Sequence, residues 1–247
     1  MSRKSRRSLA PEISPQPAPR PAARFGKGSL VAAGVASLLI AFAAAVLVYT
    51  TRAPSAQEAE ATRSALASSA APSFGSPGAP VHIVEFLDPA CETCAVFYGH
   101  VKRMIAANPG RVRLTVRHVA FHKGADEAVR VLEAARAQGK YWHVLEALLA
   151  NQAGWVLNHR VQADGIWPAI ANSGVDFERL RRDMEAPAVL ERMARDMQDA
   201  RTLRVTKTPE YFVNGRQMPE FGLEELHALV DDELRRTARL ASAAPAR

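Results

Sequence analysis

The stretch that decides the fold runs Val81-His82-Ile83-Val84-Glu85-Phe86-Leu87-Asp88-Pro89-Ala90-Cys91-Glu92-Thr93-Cys94. Its first seven residues are apolar and β-branched with a single acid, which predicts a buried strand, and Asp88-Pro89 ends it. From Cys91 onward Val96, Phe97, Val101, Met104 and Ile105 recur at helical spacing until Asn108-Pro109-Gly110, so a helix is expected over residues 91–107. Residues 111–121 then alternate, with Val112, Leu114, Val116 and His118 on one side and Arg111, Arg113, Thr115 and Arg117 on the other, as a second strand would. The result is a strand–helix–strand unit with an expected right-handed crossover. Its two cysteines lie where the first strand hands over to the helix.

That position determines what the cysteines can do. Unpaired backbone N–H groups and the helix dipole at a helix start favour a thiolate, so Cys91 is expected to ionise below the ~8.5 of a free thiol. Cys94 is one turn on and shares its face, placed to attack a mixed disulfide formed at Cys91. The chain holds only these two cysteines, so no structural disulfide framework is available. Zinc would need four ligands, and neither a second cysteine pair nor a Cys/His cluster stands beside them in sequence. The seven histidines, His82, His100, His118, His122, His143, His159 and His227, are scattered, with no pair at the spacing of a metal site on one helix face. They read as structural or solvated, and neither a metal nor a cofactor is expected.

The net charge of +7 gives no support to nucleic-acid binding once it is divided along the chain. Arg3, Lys4, Arg6, Arg7, Arg20, Arg24 and Lys27 stand against Glu12 alone, so residues 1–28 hold nearly all of it. The remainder is close to neutral, and nucleic acid is not expected as a partner. Those first 28 residues are rich in Pro, Ser and Arg and read as a disordered cytoplasmic tail. No charge occurs between Lys27 and Arg52, and residues 29–50 are almost wholly Ala, Val, Leu, Ile and Phe, long enough at about 1.5 Å per residue to cross a ~30 Å hydrocarbon layer. A single transmembrane anchor is expected there. The apolar run exceeds the ~7–15 residues of a secretory leader core, which favours an anchor that is kept. Basic residues before it and few after it place the N-terminus in the cytoplasm and the rest outside. Residues 51–73 read as a stalk, and the turn-rich Phe74-Gly75-Ser76-Pro77-Gly78-Ala79-Pro80 as the boundary of a domain covering residues 74–240, with a disordered tail at 241–247.

Within that domain, residues 124–204 have a mostly helical pattern interrupted at Gly139, Gly154, Gly165-Ile166-Trp167-Pro168 and Gly174. Tyr141, Trp142, Leu145, Leu148 and Leu149 look like core at helical spacing. Asn214-Gly215 between Tyr211-Phe212-Val213 and Arg216-Gln217-Met218 is a strong hairpin signal, and a last helix is expected over residues 223–239. The order strand, helix, strand, helical block, hairpin, helix is that of an α/β thioredoxin-like fold carrying a helical insertion, preceded here by the transmembrane helix.

Three runs of residues then resemble one family. They are Gly75-Ser76-Pro77-Gly78-Ala79-Pro80-Val81-His82-Ile83-Val84-Glu85-Phe86, the pair Cys91-Glu92-Thr93-Cys94, and Val205-Thr206-Lys207-Thr208-Pro209-Glu210-Tyr211-Phe212-Val213-Asn214-Gly215. Together, over about residues 74–235, they are similar to the DsbA-like branch of the thioredoxin-like thiol:disulfide oxidoreductases. The resemblance implies a bacterial extracytoplasmic enzyme, held at the inner membrane with its catalytic part in the periplasm. It would exchange disulfides with protein or peptide thiols and be recycled by a membrane redox partner. It also implies that Thr208-Pro209 is a cis-proline loop facing the cysteines, where the Thr208 backbone can pair with an extended substrate. Glu85 falls where similar proteins carry a buried acid, able there to pass protons to or from Cys94; otherwise it is an exposed residue on the alternating face. Glu92 and Thr93 depart from the Pro-His or Pro-Tyr often found between the cysteines. A carboxylate beside Cys91 opposes its ionisation, so a weaker oxidant than the family's strongest members is expected. The rival reading is a copper carrier using the same two thiolates, since soft sulfur ligands suit Cu(I).

Overall fold

The computed structural model describes residues 27–51, 55–67 and 71–243, and divides into two units, residues 1–53 and 54–247. The described residues of the first unit form α1 (Lys27–Thr51). Its side chains are described only over residues 34–48, where Leu38, Leu39, Ile40 and Phe42 are exposed. Among the described residues no helix is long and apolar enough to cross a membrane, so the expected span is not shown. Most of the two expected disordered tails, residues 1–26 and 244–247, lies outside the described residues.

The second unit opens with α2 (Ala56–Leu66), started by a capping box in which Ser55 and Glu58 exchange side-chain and backbone hydrogen bonds. Short β1 (Ser73–Gly75) leads to β2 (Val81–Leu87), α3 (Glu92–Ala107) and β3 (Val112–His118). The two longer strands pair in parallel from Val81 opposite Val112 to Leu87 opposite His118. β6 (Glu210–Val213) joins the other side of β2 antiparallel, and β7 (Arg216–Gln217) returns along it through Asn214-Gly215, whose φ values of 48° and 84° make the tight hairpin turn. β1 closes the far edge against β3, giving the order β1-β3-β2-β6-β7. Gly75 is required at that edge: its φ is +100°, and a Cβ there would stand 2.8 Å from the Val112 carbonyl oxygen.

Both faces of the sheet are covered, which explains why β2 reads as an unbroken apolar run. On one face Ile83, Leu87, Leu114, Val116, Tyr211 and Val213 pack with Phe97 and Val101 of α3 and with Leu226 and Val230 of α9 (Leu223–Ala243). The helical block continues this core through α4 (Ala125–Arg136) and α5 (Tyr141–Ala150), where Tyr141, Leu145, Leu148 and Leu149 are buried as their spacing predicts and Trp142 is half-buried. On the other face Val84, Phe86 and Phe212 pack with Ala65 of α2 and with Ala200 of α8 (Pro187–Thr202).

Three features of the fold depart from or add to the sequence pattern. The stalk is in part structural: α2 lies within the second unit, Ala65 is buried, and its carbonyl accepts a hydrogen bond of 2.8 Å from Arg117. Residues 73–75 also pair in the sheet, so the folded unit begins before residue 74. Second, the basic side of β3 does not face water throughout. Arg117 is fully buried under α2 and α8, paired with Asp196 and Asp199. Third, Gly165-Ile166-Trp167-Pro168 does not break a helix but lies inside α6 (Ala163–Ala169). A Cβ at Gly165 would stand 2.5 Å from the Gly154 carbonyl oxygen, so that glycine permits close packing against the chain just before Trp155. The insertion also holds a hairpin the helical pattern concealed, β4 (Val156–Leu157) and β5 (Arg160–Val161), turning on Asn158 and His159 at φ 51° and 58°. It is followed by α6, α7 (Phe177–Asp183) and α8.

Candidate active site

Cys91 is the N-cap of α3, in extended conformation, with its backbone N–H bonded to the Asp88 carbonyl at 3.0 Å. Asp88-Pro89-Ala90 makes the sharp exit from β2. The fully buried Asp88 carboxylate accepts from the N–H groups of Ala90, Phe121 and His122, which fixes the turn beneath the cysteine. Gln152 adds a bond of 2.9 Å to the Pro89 carbonyl.

Both cysteines are free thiols, and their surroundings differ. Cys91 keeps 6% of its surface exposed, while Cys94, one turn into α3, has none. The Cys91 pKa is lowered to about 6 by hydrogen bonding from the Cys94 thiol, opposed by desolvation and helped by the Thr208 side chain and the N–H groups of Cys94 and Thr93. The shift has the direction that the sequence position predicts, with the Cys94 thiol as its largest cause and the helix-start N–H groups as smaller ones. Burial pushes the Cys94 thiol well above its ordinary value, and its hydrogen bond to Cys91 and the Glu85 charge add to this.

Thr208-Pro209 is a cis peptide, and the Cys91 thiol donates to the Thr208 carbonyl oxygen at 3.3 Å. The loop before β6 thus sits directly on the exposed sulfur. Glu85 is fully buried in β2, not on an exposed face. Burial raises its pKa to about 8, against the lowering hydrogen bond that Tyr211 donates to Oε1 at 2.9 Å. Among the described residues its Oε2 has no hydrogen-bond partner. Tyr211 faces Glu85 in the β2–β6 register, and its phenol is held protonated by burial, so it donates throughout the ordinary pH range. Phe97 stacks on Tyr211 with ring centroids 5.8 Å apart and on the half-exposed Phe221 at 5.1 Å, closing one side.

Glu92 and Thr93, the residues between the cysteines, lie at the surface, and Glu92 Oε2 approaches His159 Nδ1 to 3.4 Å. Cys91 and Cys94 thus stand beside the Thr208-Pro209 loop, with Glu85 buried in the neighbouring strand. Tyr211, Asp88, His122 and His159 were not singled out by sequence reasoning for this place. Tyr211 and Asp88 could have been found from their local positions, one beside the cis-proline loop and one closing β2. The two histidines have no such local signal.

The chain matches the family described as Thioredoxin over residues 67–232. A solved thioredoxin-like oxidoreductase from Silicibacter pomeroyi is 30% identical, with 74% of this chain and 98% of that one covered and a TM-score of 0.59. BdbD from Bacillus subtilis is 22% identical over 67% of this chain and 93% of its own, at a TM-score of 0.59. Alpha-DsbA1 from Wolbachia pipientis, 15% identical over 73% of this chain and 99% of its own, superimposes at 0.63 and shares the fold. Among curated relatives, the Na(+)/H(+) antiporter NhaA of Herminiimonas arsenicoxydans is 32% identical over 144 residues, 58% of this chain. The chain spans only 22% of that protein's length, and a match of 144 residues cannot be contained in the first unit, residues 1–53, so it reaches into the second. On the family match, which spans the sheet, both cysteines and the cis-proline loop, the chain belongs to the thioredoxin family.

Proposed function

We propose that this protein is an extracytoplasmic thiol–disulfide oxidoreductase that exchanges disulfides with protein or peptide substrates through Cys91 and Cys94, and that α1 anchors it in a bacterial inner membrane. The observation that carries the proposal is the placing of one ionisable sulfur at a helix start, 3.3 Å from the Thr208 carbonyl oxygen, with a second sulfur buried behind it. The 30%-identical thioredoxin-like oxidoreductase supports it, as does the fold shared with the thiol-disulfide exchange protein alpha-DsbA2 from Wolbachia pipientis.

In the reducing direction, the Cys91 thiolate attacks a substrate disulfide, forming a Cys91–substrate S–S bond and expelling one substrate thiolate. Cys94 then loses its proton and attacks Cys91, forming the Cys91–Cys94 disulfide and releasing the second substrate thiolate. The oxidising direction is the reverse. The Cys94 proton is the costly one, because burial holds that thiol protonated. Glu85, with a pKa of about 8 and one oxygen that has no partner among the described residues, is the group placed to take it and give it back. An extended substrate is held by backbone pairing at Thr208, beside Pro209. Glu92 and Thr93 tune the pair from the surface, and a membrane redox partner restores it between turnovers.

The test is an insulin-reduction assay and its counterpart, oxidation of a reduced peptide dithiol, run on the full-length chain and on Cys91→Ser. The intact chain is expected to turn over in at least one direction, and Cys91→Ser to fall to the background rate. An intact chain inactive in both directions, with tight Cu(I) binding that needs both thiolates, would replace the enzyme by a metal carrier.

A further inference from the structure

Glu92, His122 and His159 come from three different segments: the first residue of α3, the loop after β3, and the tip of the β4–β5 hairpin. Each offers a ligand atom, and the three atoms all lie within 4.8 Å of one another. We infer that these residues form a binding site for a divalent transition metal, best suited to Zn2+, at the surface beside Cys91 and separate from the two thiols.

Donor type is the first argument. Two imidazoles and one carboxylate are a borderline-soft set that suits Zn2+, and three protein ligands leave a fourth, open position for water or a substrate group. Distance is the second. Ligands about 2.0–2.1 Å from a tetrahedral zinc stand about 3.3 Å from each other. His159 Nδ1 and Glu92 Oε2 are already 3.4 Å apart.

Preorganisation is the third, and it rests on independent contacts. His122 Nδ1 is held at 2.9 Å by the Oδ2 of Asp88, a fully buried carboxylate that also accepts the His122 backbone N–H at 2.8 Å. A carboxylate on one ring nitrogen orients the imidazole and makes the other nitrogen a better ligand. His159 is fixed by its hairpin, and that hairpin is tied to the His122 loop through backbone. Lys123 and Arg160 form a bridge, and the Val161 N–H donates to the Lys123 carbonyl at 3.0 Å. The two imidazoles therefore sit on neighbouring paired segments with ring centroids 6.1 Å apart, and only the exposed Glu92 and His159 side chains must settle for a metal to be held. The contacts span long sequence separations, so no helix-face spacing announces them.

The experiment uses the full-length, untagged chain carrying Cys91→Ser and Cys94→Ser, which removes the thiols as competing ligands. Titration with zinc chloride against a chromophoric chelator, at micromolar chain, is expected to show one Zn2+ per chain. His159→Ala, and separately Glu92→Gln, in the same background are expected to weaken binding by about tenfold or more. Both residues are exposed, and an unchanged far-UV spectrum checks that the variants keep the fold. No stoichiometric zinc uptake by the thiol-free chain overturns the proposal, as does uptake that neither substitution weakens.

Discussion

Cys91 and Cys94 are the same residue three positions apart, and the difference between them is made by a single turn of helix. At the N-cap, Cys91 receives a hydrogen bond from the Cys94 thiol and, more weakly, from N–H groups the helix leaves unpaired, while Cys94 is buried beside the Glu85 carboxylate. In the reduced chain, alkylation by iodoacetamide should therefore modify Cys91 alone, its rate rising with pH through a midpoint of about 6. A midpoint at the ~8.5 of an ordinary thiol would contradict this reading of the site. Glu85 gives a second expectation, with the opposite consequence for stability. Its carboxyl titrates at about 8 when folded and at about 4.5 when unfolded. Between those values the unfolded chain has released a proton that the folded chain keeps. The stabilising contribution is thus complete below about 4.5 and lost as pH rises through about 8, with a slope of up to ~1.4 kcal/mol per pH unit. Glu85→Gln keeps an acceptor for Tyr211 and abolishes the titration. Urea unfolding of both chains at pH 5 and pH 8 should show the parent losing on the order of 3 kcal/mol relative to the variant over that interval. Equal pH dependence in the two would remove Glu85 from the buried, protonated role. Cys91, Cys94 and Pro209 were legible in the sequence because each announces itself within a few residues. Tyr211 was legible only in part: its place beside the proline loop is local, but its bond to Glu85 comes from strand register, across 126 positions.

Elements tell a similar story at longer range. β2, α3, β3 and the β6–β7 hairpin could be read because period and turn chemistry are local, and each formed close to where it was expected. Alternation along β3 gives no sign that its basic side is covered, because α2 and α8, which cover it, are distant in sequence. Arg117 shows the result. Its guanidinium is fully buried, bonds to Asp196 at 2.6 Å and to the Ala65 carbonyl at 2.8 Å, and also reaches Asp199, so a single side chain joins β3, α2 and α8. Asp196 extends the clamp by accepting the His118 backbone N–H at 2.8 Å. Removing one partner of a buried ion pair typically costs about 3–5 kcal/mol, and the partial exposure of Asp196 and Asp199 places this case at the lower end. Arg117→Met should therefore lower the urea midpoint by the equivalent of about 3 kcal/mol, and Arg117→Lys, which keeps the charge but not the fork, by less. A loss below about 1 kcal/mol for the methionine variant would mean that α2 and α8 are held by apolar contact alone. The β4–β5 hairpin escaped notice for a related reason: its strands are two residues each, too short for any period to show.

For the whole molecule, the remaining physical question is what surrounds α1. α1 is a 25-residue helix on which Leu38, Leu39, Ile40 and Phe42 are exposed, and a helix has no way to bury such side chains against itself. Water is a poor solvent for such a surface, and lipid is a good one. Under the proposed anchoring, the basic residues before α1 would keep that end on the cytoplasmic side and put the second unit, with Cys91, outside. Two measurements follow from the same argument. The full-length chain should sediment with membranes, resist an alkaline carbonate wash and dissolve in detergent. A double change Leu39→Lys and Phe42→Lys, at about 2.5–3.5 kcal/mol per charge at the centre of a span, should release it into the soluble fraction. In intact cells given a brief reducing pulse, a membrane-impermeant maleimide should label Cys91 without permeabilisation. A chain recovered in the soluble fraction, or labelled only after the membrane is breached, would leave the thiol–disulfide site intact but would remove it from the far side of the membrane. Its client proteins and recycling partner would then have to be sought among cytoplasmic thiols.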